Sequence, residues 1–313
     1  MKKYIHSYLL FILLLTSCST TLKVTSDVSS TGNHNFTREE YIETFYPIAV
    51  QQMEKHGIPA SITLAQGILE SNSGNSALAR KTNNHFCIKA DKRWKGDKYL
   101  APDRGGNFYF RVYENAYDSY EDHSLFLTQS KRYEGLFKLK KKDYKGWAKG
   151  LKAAGYAEDE KYPSKLISLI ERYNLHRYDS YSYRNIPDIV KRHSEMTVKG
   201  KREIYIANEL LYIIANNGDN LKSLAKETGL SKSKILKYND LYKGYEIRKG
   251  DILYLEKKNS KAQKQYTTHK AGKNESLHSI SQKYGIRLKK LLDMNPQYQQ
   301  EKALEVGDIL RLR

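Results

Sequence analysis

Glu70 is the residue in this chain whose type and setting point most directly to acid chemistry. An apolar pattern typical of a helix ends at this carboxylate, in the segment Ala65-Gln66-Gly67-Ile68-Leu69-Glu70-Ser71. A carboxylate in the last turn of a helix faces the negative end of the helix dipole, which disfavours ionisation and raises its pKa. Such a group suits a general acid that works near neutral pH. Position alone leaves open that Glu70 is simply a solvated residue at a helix end.

The elements around Glu70 predict a compact, mostly helical domain over residues 36–178. Thr37 and Glu40 form a capping box that starts the first helix, and Phe36 is placed to pack on Tyr41. A second helix over 60–70 carries Glu70. Residues 94–113 mix turn formers with aromatic residues and predict a β-hairpin or small β-lobe. Helical periodicity returns at 116–130, 143–154 and 163–173, so the fold class is α+β.

The N-terminus predicts export and a lipid anchor. Lys2 and Lys3 precede an apolar stretch over 8–15 that is too short to span a membrane and resembles the core of a signal peptide. The segment Leu15-Thr16-Ser17-Cys18 resembles a bacterial lipoprotein signal, with lipid on Cys18. An ordinary secretory signal with a chance cysteine is the alternative. We therefore expect a signal peptide over 1–17 and a flexible tether over 18–35.

The charge of the chain favours an acidic partner. The 313 residues include 54 Lys and Arg against 35 Asp and Glu, for a net charge of +19. Nucleic acid, anionic lipid and an acidic cell-wall polymer all fit such a surface. Because the N-terminus predicts export, we expect no nucleic acid partner. The predicted localisation is outside the cytoplasm, with a lipid anchor in a bacterial membrane on its periplasmic or outer-membrane face and association with the cell wall.

The C-terminal part contains an internal repeat. Residues 218–225, Gly-Asp-Asn-Leu-Lys-Ser-Leu-Ala, parallel residues 274–281, Asn-Glu-Ser-Leu-His-Ser-Ile-Ser, and both repeats close on Gly-Asp-Ile-Leu. Each repeat has the order strand, helix, helix, strand, which predicts a small βααβ module. The modules extend over 203–257 and 266–313. Residues 179–202 show no clear period and are predicted to be a linker, partly ordered at most.

The two repeats resemble LysM domains, a family that binds glycans containing N-acetylglucosamine. The helix openings, the asparagines after the second helix and the closing strands carry this resemblance. The family binds its ligand between the first strand–helix loop and the second helix–strand loop. The resemblance thereby implies glycan contacts at Asp219, Asn220 and Asn239 in the first module, and at Glu275, Ser276 and Asn295 in the second. Capping of helices by these residues is the alternative.

Residues 36–178 resemble the glucosaminidase family of peptidoglycan hydrolases, glycoside hydrolase family 73. Four ordered motifs carry the resemblance: Ala65 to Ser71, the segment Asn83-Asn84-His85-Phe86-Cys87-Ile88-Lys89, the pair Phe110-Arg111-Val112-Tyr113 and Ser119-Tyr120-Glu121-Asp122-His123, and Gly155-Tyr156-Ala157-Glu158-Asp159. The family implies a lysozyme-like helical domain with a small β-lobe. The family usually has Gly where this chain has Cys87.

The resemblance implies a role for each matched residue. Glu70 matches the essential acid, and a second carboxylate lies in the β-lobe, where Asp103 is preferred over Asp97. Retaining, inverting and substrate-assisted mechanisms all remain open. Tyr156 would orient Glu70 or bind sugar, with core packing as its alternative. Sugar subsites would be shaped by Asn83, Asn84, Phe86 and Tyr162, although the two asparagines have the alternative of satisfying loop backbone groups.

The expected function is that of an endo-β-N-acetylglucosaminidase cleaving the β-1,4 bond after N-acetylglucosamine in peptidoglycan. We expect a monomer that needs no metal or organic cofactor. A Cys/His site formed by Cys87, His85 and His123 is disfavoured because no second metal-like spacing accompanies them. The alternatives are cleavage of the lytic transglycosylase or muramidase type, and a non-catalytic lipoprotein that binds the wall.

Overall fold

The computed structural model describes residues 35–200, 202–299 and 303–313. The predicted signal peptide, the lipidation site Cys18 and nearly all of the predicted tether lie outside the described residues. Among the helices that are described, none is both long enough and apolar enough to span a membrane.

The N-terminal part is mostly helical, and one hairpin interrupts the helices. Its elements are α1 (Arg38–His56), α2 (Ala60–Ser71), α3 (Ala77–Thr82), β1 (Lys98–Asp103), β2 (Gly106–Arg111), α4 (Ala116–Thr128), α5 (Tyr144–Ala153), α6 (Tyr162–Arg172) and α7 (Asp188–Lys199). Short 3₁₀ helices cover Lys131–Lys138, Leu175–Ser180 and Tyr183–Asn185. These bounds agree with the predicted helices to within two residues, and they confirm the α+β class of a helical domain with a small β-lobe.

Helix α1 begins as its sequence predicts. The Thr37 side chain accepts from the Glu40 backbone amide, the Glu40 carboxylate accepts from the Thr37 amide, and the Phe36 ring meets the Tyr41 ring edge-on. The helix ends at Gly57, whose φ of 80° is the left-handed conformation that glycine adopts without strain. The local signals at the N-terminus of the domain are therefore sufficient to place its first helix.

Helix α2 is the central element of the domain, because every residue from Ala60 to Ile68 is buried. Its apolar side chains join the main hydrophobic cluster together with residues of α1, α4, α5 and α6. Gly67 allows the closest of these approaches. A Cβ atom added there would lie 2.5 Å from the Tyr41 hydroxyl oxygen and 3.0 Å from that of Tyr120. These two hydroxyls are hydrogen-bonded to each other at 2.8 Å, so they fix α1 and α4 against α2 one turn before Glu70.

The predicted hairpin over 94–113 is present. Strands β1 and β2 pair antiparallel, from Lys98 opposite Arg111 to Asp103 opposite Gly106. Arg104 and Gly105 form the turn, and Gly105 has a φ of 85°. A two-stranded hairpin is marginal by itself. Here its β2 end is held by the backbone bond from the Arg111 amide to the Ile88 carbonyl.

The C-terminal part contains two small α+β modules. The first has β3 (Tyr205–Ala207), β4 (Leu210–Ile214), α8 (Leu221–Thr228), α9 (Lys232–Tyr238) and β5 (Ile252–Tyr254), and the second has β6 (Thr268–Lys270), α10 (Leu277–Lys283), α11 (Leu288–Met294) and β7 (Ile309–Arg311). The second module has the predicted βααβ order. The first carries one more strand, because β3 pairs with β4 to give the sheet order β3-β4-β5.

The segment predicted as an irregular linker, residues 179–202, is largely ordered, and that prediction was wrong. It contains α7, whose Val190 and Val198 pack into the core of the N-terminal domain. Ile189 and Met196 of the same helix pack into the core of the first C-terminal module. The helix has few apolar residues among many charged ones, and these are divided between two cores, so packing on both sides stabilises it.

The two C-terminal modules are in direct contact. The Lys258 side chain is fully buried between them, where its ammonium group pairs with Asp240 at 2.9 Å and donates to Ser281 and Gln282. The hydroxyl of Tyr254 in the first module donates to the Gln282 carbonyl of the second at 2.6 Å. A buried ammonium group with a carboxylate and two polar partners is satisfied in only one arrangement, so these bonds specify how the modules meet.

We expect Gly67→Ala to destabilise the N-terminal domain. The added methyl group would force apart the Tyr41 and Tyr120 hydroxyls, and overpacking of this kind costs about 1–3 kcal/mol. Gly135→Ala is the matched control, because a Cβ at Gly135 has no neighbour within 4 Å. Urea unfolding followed by circular dichroism measures both variants. Equal stability of the two variants would mean that α2 does not depend on this close approach.

Candidate active site

A cleft of about 1060 Å³ lies where the C-terminal end of α2 meets the hairpin, α4 and α6. Its apolar lining comes from Leu69, Phe86, Ile88, Trp94, Phe110, Leu125, Phe126, Tyr156 and Tyr162, and its charged lining from Glu70, Lys89, Asp91, Arg93, Asp103, Arg104, Arg111, Asp122, Arg132, Glu158, Asp159 and Lys165. Apolar and aromatic walls with a few convergent polar groups are typical of sites that bind small molecules and glycan chains.

Glu70 lies in the last turn of α2 and lines this cleft. The Tyr162 hydroxyl donates a hydrogen bond to its carboxylate, and the Gln66 amide donates to the Tyr162 oxygen at 3.1 Å. Gln66 and Glu70 are four residues apart on one helix, so they share a face and converge on the same tyrosine. The carboxyl group is thereby held in one orientation from two elements, α2 and α6.

Burial raises the pKa of Glu70 from the ordinary value of 4.5 to about 7. The hydrogen bond from Tyr162 opposes this rise, the negative charge of Asp103 adds to it, and Lys165 again lowers the pKa. The sequence predicted the rise from the end of a helix, whereas in the structure loss of water is the largest cause. A carboxyl group with this pKa carries its proton in a substantial fraction of molecules at neutral pH.

Asp103, the preferred second carboxylate, also lines the cleft, at the end of β1. Its pKa is shifted in the opposite direction, below the usual range, chiefly because the Lys89 ammonium group donates to it at 2.8 Å. Asp97, the alternative candidate, is exposed and lies outside the cleft. The cleft therefore pairs one carboxyl group that tends to stay protonated with one that stays ionised.

Three predicted aromatic residues lie together beside Glu70. Tyr156 and Tyr162 stack with ring centroids 5.8 Å apart, and Phe86 stacks on His123 at 4.0 Å. The Tyr156 hydroxyl donates to the Phe86 carbonyl at 3.5 Å. The hydrogen bond to Glu70 comes from Tyr162, which the sequence placed among the sugar contacts, while the orienting role had been assigned to Tyr156.

Asn83 and Asn84 do not line the cleft, and their prediction as sugar contacts was wrong. Asn84 is fully buried; its side chain donates to the carbonyls of Ile88 and Arg111 and accepts from the amides of Phe86 and Ile88. Asn83 ends α3 with a φ of 53° and donates to the carbonyls of Tyr113 and Glu114. Both amides satisfy loop backbone groups, which is the alternative that the sequence left open.

Cys87 lines the cleft beside Glu70 and has the backbone conformation of a glycine. Its φ is 51°, and its thiol donates to the Glu70 carbonyl at 3.3 Å. Burial raises the pKa of this thiol to about 12, so the thiolate that nucleophilic chemistry requires is disfavoured. His85 and His123 are buried, and burial lowers the pKa of each. Of these three residues, only Cys87 lines the cleft, and the two histidines are part of the buried interior.

In the LysM-like modules, Asn239 and Asn295 are buried, so their prediction as glycan contacts was wrong. The Asn239 amide donates to the Ile235 and Tyr254 carbonyls and accepts from the Tyr254 amide. Asn295 makes the equivalent three bonds to Leu291 and Arg311. Each asparagine joins the end of the second helix to the closing strand, and no surface of either is free for a sugar.

The other four predicted glycan contacts lie at the loops before the first helices. Asn220 and Ser276 are exposed and cap α8 and α10. The carboxylate of Asp219 accepts two hydrogen bonds from Arg202, at 2.7 and 3.0 Å. Glu275 accepts from His269 at 2.6 Å, and this bond, together with one from the Gly272 amide, lowers its pKa to about 2. The caps leave backbone and side-chain atoms of both loops at the surface.

Several residues at the cleft or behind Tyr162 received no individual role from the sequence, among them Gln66, Lys89, Arg132 and Lys165. Two of them had a detectable signal. Gln66 precedes Glu70 by four residues, and Lys165 follows Tyr162 by three, so each pair shares a helix face. Lys89 and Arg132 lie in segments without such periodicity, so only the tertiary structure brings them to the cleft.

A carboxyl group with a raised pKa, in an aromatic cleft of a helical domain, defines a candidate glycoside hydrolase site. Residues 46–175 match the family model described as mannosyl-glycoprotein endo-beta-N-acetylglucosaminidase, and residues 213–255 and 269–313 match the LysM domain model. The chain therefore carries a glucosaminidase domain followed by two LysM domains. The first match runs from within α1 to just past α6, and the other two run from β4 to just past β5 and from β6 to just past β7.

The chain is similar to the exo-glucosaminidase LytG of Bacillus subtilis, with 31% identity over 51% of this chain and 60% of that protein. It is 30% identical to the peptidoglycan hydrolase FlgJ of Vibrio parahaemolyticus, over 43% of this chain and 47% of that protein. A solved peptidoglycan hydrolase from Sphingomonas sp. A1 aligns with 26% identity over 48% of this chain and 100% of that one, at a TM-score of 0.41. The chain thus spans about half to 60% of these two relatives' own length.

We expect Glu70→Gln to stabilise the protein at alkaline pH. Folding raises the pKa of Glu70 from 4.5 to about 7, so the folded wild type loses stability relative to a neutral glutamine as the pH rises through this window. The difference should be small at pH 4 and reach on the order of 2 kcal/mol at pH 8. Urea unfolding at both pH values measures it, with Glu246→Gln at an exposed loop as control. A difference that does not depend on pH would contradict the burial of this carboxyl.

Tyr162→Phe should raise the pKa of Glu70 further. The substitution removes the hydrogen bond that favours the ionised carboxylate, so the alkaline limb of a pH–activity profile should move up by up to about one pH unit. The control is Tyr144→Phe, because the Tyr144 hydroxyl bonds Glu171 on the exposed surface. A profile that keeps its alkaline limb in Tyr162→Phe would show that the limb does not report Glu70.

Proposed function

We propose that this protein is an endo-β-N-acetylglucosaminidase that cleaves the β-1,4 bond after N-acetylglucosamine in peptidoglycan. The observation that carries the proposal is a pair of carboxyl groups in one cleft whose pKa values are shifted in opposite directions. The pKa of Glu70 is raised and that of Asp103 is lowered. Most glycoside hydrolases use such a pair, because one group donates a proton while the other supports positive charge or activates water.

In this mechanism the protonated Glu70 donates to the glycosidic oxygen as its bond to the sugar breaks. Positive charge develops on the ring carbon, and the ionised carboxylate of Asp103 stabilises it or activates the attacking water. Tyr162 keeps the Glu70 carboxyl directed into the cleft, and Gln66 fixes that tyrosine. The rings of Tyr156 and Trp94 line the same cleft and supply apolar faces for the sugars.

The LysM domains would hold the enzyme on its polymeric substrate. The support lies in the two exposed loops that contain Asp219 and Asn220, and Glu275 and Ser276, together with the net charge of +19 toward an acidic polymer. Weak binding at each module raises the effective concentration of glycan at the cleft. Because the modules contact each other and α7 joins the first to the catalytic domain, both travel with the cleft.

We further propose export, lipid attachment at Cys18 and action as a monomer at the cell wall. The support is the short apolar segment before Leu15-Thr16-Ser17-Cys18 and its basic flank at Lys2 and Lys3. Lipid on Cys18 would place the enzyme on the outer side of a bacterial membrane, next to its substrate. Acyl chains bind membranes with about 0.8 kcal/mol for each buried methylene, so two or more chains hold a protein stably.

Digestion of purified peptidoglycan tests the proposed cleavage. The wild-type chain should release fragments with N-acetylglucosamine at the reducing end, identified by mass spectrometry after borohydride reduction. Glu70→Gln should lower the rate by at least about 100-fold, because general acid catalysis contributes that much or more. Asp103→Asn should also lower the rate, whereas Asp97→Asn, at the exposed position outside the cleft, is its matched control.

Other products would assign other functions. Fragments with a 1,6-anhydro-muramic end would indicate a lytic transglycosylase, and a reducing muramic end would indicate a muramidase. Pelleting with peptidoglycan but no release of fragments by the wild type would leave a non-catalytic wall-binding protein. Equal digestion by the wild type and Glu70→Gln would exclude Glu70 as the acid.

A further inference from the structure

Arg132 is a cleft cation that differs from most of its cationic neighbours. Four cleft cations are in ion pairs with aspartates: Lys89 with Asp103 at 2.8 Å, Arg93 with Asp91 at 2.7 Å, Arg111 with Asp122 at 2.8 Å, and Lys165 with Asp159 at 2.6 Å. Arg104, in the hairpin turn, acts on the charges of Asp103 and Asp159. Arg132 lines the same cleft, and across the described ranges no carboxylate lies within ion-pair distance of it. Its charge is left for a ligand.

The guanidinium group of Arg132 is held in place by aromatic rings. Its Cζ atom lies 4.6 Å from the ring centroid of Tyr133, which is fully buried, and 5.6 Å from that of Phe126. Arg111 also lies over the Phe126 ring, with its Cζ atom 5.9 Å from the centroid, and the same atom lies 4.7 Å from the centroid of Trp94. Cations and rings thus alternate along one wall of the cleft, from the hairpin side to Arg132.

This arrangement suits recognition of a carboxylate. A guanidinium group has five N–H donors in a planar fork, so Arg132 can donate toward the Tyr133 hydroxyl and still offer donors that match the two oxygens of a carboxylate. The Arg132 side chain is exposed at the cleft, so a ligand reaches those donors directly. The stacking also restricts the side chain before binding, which reduces the entropy lost when a ligand binds.

We propose that Arg132 binds a carboxylate carried by the peptide substituents of the glycan, and that it selects an anionic, peptide-bearing glycan over a neutral N-acetylglucosamine polymer. This rests on the proposed function, because it assumes that the cleft binds glycan. The paired cations fix the walls of the cleft, whereas Arg132 recognises a group that lies beside the sugar chain.

The test is a binding titration of the full chain that reports on the cleft alone. The sequence has two tryptophans, Trp94 in the cleft wall and Trp147 in the core of the same domain, so tryptophan fluorescence follows the cleft and not the LysM domains. The protein carries Glu70→Gln to keep the ligand intact. The ligands are soluble peptidoglycan strands with free peptide carboxylates and the same strands after conversion of these carboxylates to methylamides.

The parent protein in this test is the chain with Glu70→Gln alone. Conversion of the carboxylates to methylamides should weaken binding of the strands to this parent roughly 10-fold or more, as expected for loss of a charged hydrogen bond. Arg132→Gln should weaken binding of the unmodified strands by a similar factor and should make the protein insensitive to the conversion. Arg132→Lys, which keeps the charge without the planar fork, should recover part of the affinity. Arg184→Gln, an exposed arginine in the 3₁₀ helix Tyr183–Asn185 and outside the cleft, should bind both ligands like the parent.

The proposal is wrong if conversion weakens the parent and Arg132→Gln by the same factor, or if Arg132→Gln binds like the parent. It is equally wrong if the unmodified strands leave the fluorescence of the parent unchanged, because they then do not enter the cleft. Failure of the proposed function appears elsewhere, as absence of digestion by the wild type. A carboxylate-dependent titration in a chain without hydrolase activity would retain Arg132 as a recognition residue and remove only the chemistry.

Discussion

The arrangement of the catalytic domain depends on the withdrawal of one carboxyl group from water. Glu70 completes α2, the helix that is buried along nearly its whole length, and it opens into the cleft only in the final turn. Burial favours the protonated form of the group, and the hydrogen bond from Tyr162 prevents its pKa from rising further. The close packing at Gly67 matters for this reason. It brings Tyr41 and Tyr120 against α2 at Gly67, three residues before the carboxyl group.

A carboxyl group that tends to stay protonated lies in the same cleft as a carboxyl group that stays ionised. Asp103 comes from the hairpin, an element with little core of its own, and it remains ionised because Lys89 donates to it. The hairpin is anchored at the other end of β2, where buried Arg111 binds Asp122 of α4 and stacks on Trp94. The polar walls of the cleft are therefore mostly neutralised. Glu70 and Arg132 have no ion-pair partner among the described residues, and they are the groups assigned to the substrate.

The LysM domains are integrated with the catalytic domain. Helix α7 contributes apolar residues to the catalytic core and to the first LysM core, so the connection between them is a shared packed element. Lys258, buried between the two modules, is satisfied only when they meet as they do. Asn239 and Asn295 are likewise buried polar groups with satisfied hydrogen bonds, and each joins the last helix of its module to the last strand.

The sequence by itself predicted most of the helices, the hairpin, the repeat and the candidate acid, because these depend on local signals. A few neighbouring residues are enough to predict each of three features: the capping box at Thr37, the turn at Gly105, and the position of Glu70 at the end of an apolar helix. The aromatic members of the cleft were also identified from their motifs. The structure adds the cause of the raised pKa of Glu70, which is burial.

Tertiary structure alone decided which polar residues face substrate and which support the backbone. Asn84, Asn239 and Asn295 occur in motifs that suggest binding, yet each is buried against carbonyl and amide groups contributed by distant segments. Helix α7 was not predicted because its few apolar residues lie in a segment rich in charged and polar residues after Pro187, and packing against two cores stabilises it. Lys89 and Arg132 reach the cleft through long-range packing, which no local pattern encodes. Burial and hydrogen-bond satisfaction are properties of the assembled chain, and for that reason the sequence identified the acid but not the surroundings that tune it.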